Sequence, residues 1–513
     1  MRLKIIILFC IALNICSAQY IYFDNANIGN ANSESYGDVL VVDNQYIAAG
    51  NFNTDSTIEV IRRYDLEGEI IEESVLSPSY PGFYNIGNNS LNIAVTEPSF
   101  FVCGGAVRTD LFEGYLIKYS ESLDTLWTNY YNLFPQGSSY FSEYLVDEEY
   151  LILTAFSEDL SNYPWQGGTA IVKMNLEGEI VWNMPVKSFD PGYMYRNFDI
   201  DKLIDGYVIG GVQRYLPEPG ESEWTPTITK TNLDGDVEWE FAPAFEGIYQ
   251  GAAHVLGHSN GGIYSVNIKR YDEWDVFPGS DYFWSKLILR EFDPQNGDVI
   301  SEQEIVINEQ GILHGWNTKI IETLDGGIVI LGTTCTPDTE FNRYAFLLKF
   351  DSLGNEMWYQ EYFHDNNNPE IVEQMLWDVE IAPDGGYIMA GNLRYASDSG
   401  YRSWLLKVDA CGDVEWEGCE FVGVEEYGFA SVDLELWPNP VSETLNINIE
   451  NQNNIESLRV FNSQGKEVIV NLLSSHNAGI IQLDVSSIAK GLYYIQLYDE
   501  KMTRTLTSKF VVR

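Results

Sequence analysis

"NLEGEIVW", residues Asn175–Trp182, decides how this chain is read, because the chain keeps returning to it. "NLDGDVEW" follows at Asn232–Trp239, "DSLGNEMW" at Asp351–Trp358 and "DACGDVEW" at Asp409–Trp416. Aligned on the basic residue just ahead of the Asp or Asn, seven segments share a register. They are "VIRRYDLEGEIIEE", "YLIKYSESLDTLWT", "AIVKMNLEGEIVWN", "TITKTNLDGDVEWE", "LILREFDPQNGDVISE", "FLLKFDSLGNEMWY" and "WLLKVDACGDVEWE". Their turns open at Asp65, Ser120, Asn175, Asn232, Asp293, Asp351 and Asp409, spaced 55 to 61 residues apart. Gly68, Gly178, Gly235, Gly297, Gly354 and Gly412 follow in six copies, and Trp127, Trp182, Trp239, Trp358 and Trp416 in five. Glu72 and Ser301 stand where Trp would in the other two. Near-constant spacing over seven copies means an array of repeats.

Each copy has an upstream partner such as "NQYIAAGN", "DGYVIGGV" or "DGGYIMAGN": a turn, then an apolar strand ending in small residues. One unit therefore reads as four short antiparallel strands. Such a sheet cannot bury both faces alone, whereas radial stacking of seven buries them. The expected fold is all-β: a seven-bladed β-propeller over residues 19–425, with an open β-solenoid as the alternative. "QYIYF" (Gln19–Phe23) precedes the first unit and is placed to pair with the last, which would close the ring and remove its edges.

The repeated turn invites three functional readings. A calcium loop needs oxygen ligands at alternate positions and a closing bidentate Glu, which "NLEGE" does not supply. The Asp-box of sialidase-type propellers has a different Gly and aromatic spacing. The Gly-x-x-x-Trp spacing resembles the tryptophan-docking repeats of quinoprotein-like propellers, in which the Trp packs between blades; no cofactor-clasping Cys pair accompanies it here. The structural reading is preferred: Asp or Asn bonds its own backbone, Gly bends the turn and Trp packs between sheets. No cofactor and no metal are expected.

The first residues, "MRLKIIILFCIALNICSAQ", read as a secretory signal peptide (1–18) cleaved after Ala18. Ile15 ahead of Cys16 argues against lipidation. No later stretch suits a membrane span. The net charge is −47, while residues 434–513 hold 7 Lys+Arg against 8 Asp+Glu, so the field belongs to the repeats. It repels nucleic acid and anionic membrane. Export permits disulfides. Cys411 and Cys419 flank the last "GDVEWEG" and are the expected pair; Cys103 and Cys335 are expected as buried thiols.

Other chemistry is thin. His254 and His258 are four apart without an acidic partner in the pattern, and HExxH, G-x-S-x-G and Walker motifs are absent. A catalytic carboxylate pair among the many acids is not singled out. Recognition of a glycan or protein falls to the aromatic, acidic loops "SNYPWQGG" (161–168), "RYLPEPGESEW" (214–224) and "YDEWDVFPGSDYFW" (271–284).

The last eighty residues read differently. "LELWPNPVSETLNINI", "LRVFNSQGKEV", "IQLDVSSIAKGLYYIQLYDE" and "TRTLTSKFVVR" alternate as strands of a small Ig-like β-sandwich of about seven strands (434–513), after a linker at 426–433. This segment resembles the type A C-terminal sorting domain of the type IX secretion system. The resemblance rests on Pro438, Asn439 and Pro440, Gly465, Gly491-Leu492-Tyr493, and Lys509-Phe510-Val511-Val512. It implies recognition by the type IX translocon, removal by a sortase-like protease near residues 422–433, and a final location in the medium or on the outer cell surface. The reading of the whole is a binding, adhesion or scaffold module without catalysis. The alternative is an extracellular hydrolase or lyase acting on polysaccharide.

Overall fold

The computed structural model describes the strands and most turns between residues 23 and 414 and between 436 and 512. Stretches outside the description include 1–22, 76–91, 160–164, 217–221, 246–248, 276–281, 336–342, 365–370 and 415–435. All described elements are strands, and among these residues no helix is long and apolar enough to cross a membrane. The chain divides into two compact units, Met1–Cys419 and Glu420–Arg513. The expected signal peptide and the linker 426–433 lie outside the described residues.

The repeated motif builds one kind of turn. Asp65 Oδ1 accepts the N–H groups of Glu67 at 3.0 Å and Glu69 at 2.9 Å. The Gly68 N–H returns to the Asp65 carbonyl at 3.2 Å, and Gly68 takes φ = 82°. Asn175, Asn232, Asp351 and Asp409 repeat both side-chain bonds. This is the local hydrogen bonding that makes Asp and Asn turn formers. The second copy lacks Gly, and Leu123 adopts φ = 52° in its place. The fifth is one residue longer: Asp293 accepts from Gln295, and Gly297 closes on the Asp293 carbonyl. The basic residue ahead of the turn is also committed in three blades, pairing with the Asp of the preceding turn: Lys230 with Asp205, Lys349 with Asp325 and Lys407 with Asp384.

Among the described residues, the strands group into seven four-stranded antiparallel blades. Their innermost strands are Ser33–Val42, Asn92–Thr96, Tyr140–Asp147, Tyr193–Lys202, His254–Gly257, Ile312–Glu322 and Ile371–Ile381. Blades 1 to 4 are separate sheets; blades 5 to 7 are joined by short extra pairings into one. The fourth strand of blade 7 comes from the start of the chain: Phe23–Asn27 pairs antiparallel with Tyr401–Val408, Phe23 opposite Lys407. Phe23 of the expected closing strand, Gln19–Phe23, belongs to this pairing, and residues 19–22 lie outside the described residues. Seven apolar cores alternate with the blades, one between each successive pair. The seventh joins Tyr36, Val39 and Val60 of blade 1 to Ala382, Ile388 and Leu405 of blade 7, which completes the ring. The described residues of the first unit form a β-propeller-like ring.

The second unit holds seven described strands in two sheets, one of four and one of three. Val460, Leu483, Tyr493 and Ile495 are among the residues of its own core.

Candidate functional site

Register along the inner strands places one residue of each blade at the same level. In six blades it pairs with the second-strand residue just ahead of a small one: Asp38 with Ala49, Asn92 with Cys103, Glu143 with Thr154, Asp199 with Gly210, Lys319 with Leu331 and Asp378 with Ala390. Blade 5 keeps the level, His254 opposite Val266, although Asn267 follows there instead of Gly or Ala. A β-bulge falls just before the belt residue in blades 1, 3, 4 and 7. In blades 1, 4 and 7 the glycine inside the second strand makes room for it: a Cβ on Gly391 would stand 2.0 Å from the Met375 carbonyl oxygen. The bulge re-aims the next side chain, and at this level six of the seven blades carry an ionisable residue.

Lys319 is the hub. Its Nζ lies 3.9 Å from Glu143, 3.8 Å from Asp199 and 3.8 Å from Asp378, so blade 6 reaches blades 3, 4 and 7. Contact among such distant blades requires these side chains to meet on the axis of the ring. Lys319 keeps 23 % of its side chain exposed and Glu143 17 %, whereas Asp199 and Asp378 are buried. Burial opposes the ammonium charge, but the surrounding carboxylates hold its pKa well above the usual lysine value.

The carboxyls differ sharply. Burial, with Asp199 and Asp378 nearby, raises Glu143 to about 8 in spite of Lys319. Burial also acts on Asp199, yet Lys319, His254 and the Val255 N–H together pull it down to about 2. Burial and the adjacent Asp378, to which it is hydrogen-bonded, hold Asp38 protonated far above the carboxylate range. Two residues along the inner strands, burial lifts Asp201 to about 6 and Glu380 to about 7. The group therefore contains carboxylic acids and carboxylates side by side at neutral pH.

Several members tie blades together. Asp378 Oδ2 accepts the Val39 N–H of blade 1 at 3.1 Å, and Asp199 Oδ2 accepts the Val255 N–H of blade 5 at 3.0 Å. Asp201 accepts the Gly257 N–H at 2.8 Å. His254 Nδ1 lies 3.4 Å from Asp199, and His258 Nε2 lies 3.5 Å from Glu322. Both histidines thus have acidic neighbours from adjacent blades, which spacing along one strand does not reveal.

The residues singled out by the repeat do not converge on this cluster. Trp127, Trp182, Trp239 and Trp358 lie instead against Gly178, Gly235, Gly297 and Gly412 of the following blade. Trp416 and Cys419 lie outside the described residues. Cys411 is disulfide-bonded. Cys103 is a free, buried thiol facing the acidic cluster, and burial raises its pKa. Among the described residues no group of His, Cys, Asp and Glu is arranged to hold a metal ion.

In the second unit, Gly491, Leu492 and Tyr493 pair with Val512, Val511 and Phe510, and Tyr494 with Lys509. The two sequence signals at the C-terminus are thus partners in one antiparallel ladder. Pro438, Asn439, Pro440 and Gly465 lie outside the described residues. Residues 435–513 match the family described as secretion system C-terminal sorting domain. The tail is a sorting domain. It directs export of the chain to the cell surface or the medium and implies interaction with the type IX secretion machinery.

The ring ahead of the sorting domain is similar to several solved structures. An ulvan lyase of family PL25 aligns at 11 % identity and TM-score 0.48, covering 77 % of this chain and 96 % of that one. The polysaccharide lyase Uly1 aligns at 10 % identity and TM-score 0.45, covering 76 % and 92 %. A GH93 α-L-arabinofuranosidase of Fusarium graminearum aligns at 11 % identity and TM-score 0.41, covering 62 % and 92 %. No curated protein matches the chain.

Proposed function

We propose that the chain is an exported ring module that binds an extracellular glycan or protein through its loop-bearing rim, without chemistry. The observation that carries this reading is the mutual satisfaction of the channel groups. Asp378 and Asp199 accept backbone N–H groups from the next blade, and Lys319 lies 3.8 to 3.9 Å from one carboxyl on each of three other blades. Buried charges are tolerated when paired and hydrogen-bonded, and here the pairing crosses blades. The channel then serves as a clasp, and recognition is left to the rim. Removal of the sorting domain by a sortase-like protease in or near 422–433 belongs to the same proposal.

A second reading, an extracellular hydrolase or lyase acting on polysaccharide, draws on one observation. Glu143 keeps its proton to about 8 while Asp199 is ionised down to about 2, and both flank Lys319. Carboxyls whose environments push them apart are how acid and base roles are divided. Incubating the purified protein with a polysaccharide panel separates the readings. Saturable binding without product supports the first; turnover that vanishes in Glu143→Gln establishes the second.

A further inference from the structure

Among the described residues, Arg214 is a cation of the ring held by an aromatic side chain and not by an ion pair, with Glu158 the carboxylate that acts on it. Arg214 is the last residue but one of the second strand of blade 4 (Gly206–Tyr215), and its guanidinium stacks on Trp224 at 4.8 Å from the ring centroid. Its Nε is buried without a hydrogen-bond partner, and among the described residues it forms no ion pair. Burial lowers its pKa, with the nearby Arg196 adding to the effect. In a chain with 29 Lys+Arg against 76 Asp+Glu, an unpaired guanidinium stands out. Its neighbour Arg196 pairs with Glu158, and Lys187 pairs with Glu240.

The surroundings are aromatic on both faces of the blade. On the face turned to blade 3, Tyr193 stacks on Tyr195 with centroids 6.1 Å apart, and Tyr193, Tyr215 and Phe245 continue the row at 4.9 and 5.6 Å. On the opposite face, Trp224 meets Tyr249 at 6.2 Å beside Arg214. Pairing along the strands fixes this division: Tyr193 and Tyr215 are opposite one another, as are Arg214 and Trp224. All of them sit at the rim end of the blade, where "RYLPEPGESEW" leaves the sheet. Tyr193, Tyr215, Trp224, Phe245 and Tyr249 are half-buried, so their rings are partly open to solvent. The indole N–H of Trp224 is held by Ser222 at 3.2 Å, which fixes the ring under the guanidinium.

We infer that the blade 4 rim is a glycan-binding site for a sugar bearing a carboxylate, with Arg214 as its anion contact. The reading rests on the binding-module proposal and names its ligand class. A guanidinium held flat by an aromatic face presents a fork that fits a carboxylate in bidentate fashion. Aromatic faces with a few placed polar groups are the usual lining of ligand sites, and a pyranose offers both a C–H face and, in a uronic acid, the anion. The chain's strong negative charge disfavours a densely charged polymer at long range, so the fit is to a short oligosaccharide with one carboxylate at the contact.

The test is calorimetric titration of the full-length protein with oligogalacturonate and glucuronate-containing oligosaccharides, against neutral xylo- and cello-oligosaccharides. Arg214→Gln and Arg214→Lys are compared with the parent, and thermal unfolding confirms that each is folded. The expected result is saturable binding of a uronate-bearing oligosaccharide, weakened about ten- to hundredfold in Arg214→Gln. Arg214→Lys is also weakened, because the fork is lost. Uronate binding that Arg214→Gln leaves intact overturns this site and leaves the binding-module reading standing. Equal binding of neutral sugars overturns the carboxylate contact alone. Failure of every glycan, with a protein ligand captured instead, overturns the site while the module reading survives; with no ligand of either kind, both fall.

Discussion

The indole of Trp182 in blade 3 rests on Gly235 in the turn of blade 4, so closely that a Cβ there would stand 2.9 Å from two of its ring carbons. Trp127 with Gly178, Trp239 with Gly297 and Trp358 with Gly412 repeat the relation. It fails where the Trp is missing: Ser301 in blade 5 leaves Gly354 with nothing within 4 Å, and after Glu72 in blade 1 the next turn carries Leu123 instead of Gly. The motif is therefore half of an inter-blade lock, its Trp serving one junction and its Gly the previous one. Gly235→Ala meets both a positive φ and the indole, and is expected to cost about 2–4 kcal/mol. Gly354→Ala has the same φ but open space, and is expected to cost about 1–2 kcal/mol. Equal losses in denaturant titration would remove the lock from the account.

Much of the ring was legible because each turn makes a local demand that only a few residues meet. Asp or Asn must accept two N–H groups and the third residue on must take positive φ, so the pattern survives in Asp65, Asn175 and Asp409 alike. Even so, the role of the Trp ran across blades, and only its contact with the next turn shows why Gly and Trp come and go together. The channel belt was not legible. Its members are Asp, Asn, Glu, Asp, His, Lys and Asp, unevenly spaced, and their common level depends on bulges that no residue type announces. The usable signal was the small residue inside the second strand, from which the belt residue can be counted across the ladder in six of the seven blades. His254 and His258 were passed over for the same reason: their carboxylates come from Asp199 and Glu322, on other blades.

Lys319 supplies one cation to three channel carboxyls, so its removal leaves them facing one another. Lys319→Met is expected to destabilise the ring by about 3–5 kcal/mol at pH 7, the usual result of leaving buried charge uncompensated. The deficit shrinks toward pH 5, where Glu380 and Asp201, held at about 7 and about 6, take up protons and repel the remaining carboxylates less. Chemical denaturation at the two pH values measures both. A deficit that stays constant with pH would mean that Lys319 acts by packing alone.

Glu143 gives the pH profile a sign. Folded, it keeps its proton to about 8 against an ordinary value of 4.5, so between those limits the folded state binds more protons than the unfolded. Stability then falls as pH rises from about 5 through 8, by about 1.4 kcal/mol for each pH unit over which the folded state holds one extra proton. Glu380 at about 7 and Asp201 at about 6 add in the same direction. Asp199, held at about 2, works oppositely: its contribution is present above about 4 and is lost as pH falls toward 2. Maximum stability is expected near pH 5, and Glu143→Gln flattens the alkaline limb. Thermal unfolding from pH 4 to 9 checks this, and a maximum near pH 8 contradicts it.

The sorting domain makes a prediction that does not depend on the ring's ligand. Gly491, Leu492 and Tyr493 form one ladder with Val512, Val511 and Phe510, and Tyr493 is buried in the core of that unit with Ile495 and Val512. Deleting residues 434–513 removes the export address while leaving the ring, which has its own seven cores, able to fold. Truncated protein is expected to accumulate in the periplasm in a protease-resistant form. Tyr493→Asp, which places a charge in the small core, is expected to reduce export without altering the ring. Fractionation of cells and medium, with limited proteolysis of each fraction, reads both variants. Undiminished export of the truncated chain would show that the address lies elsewhere.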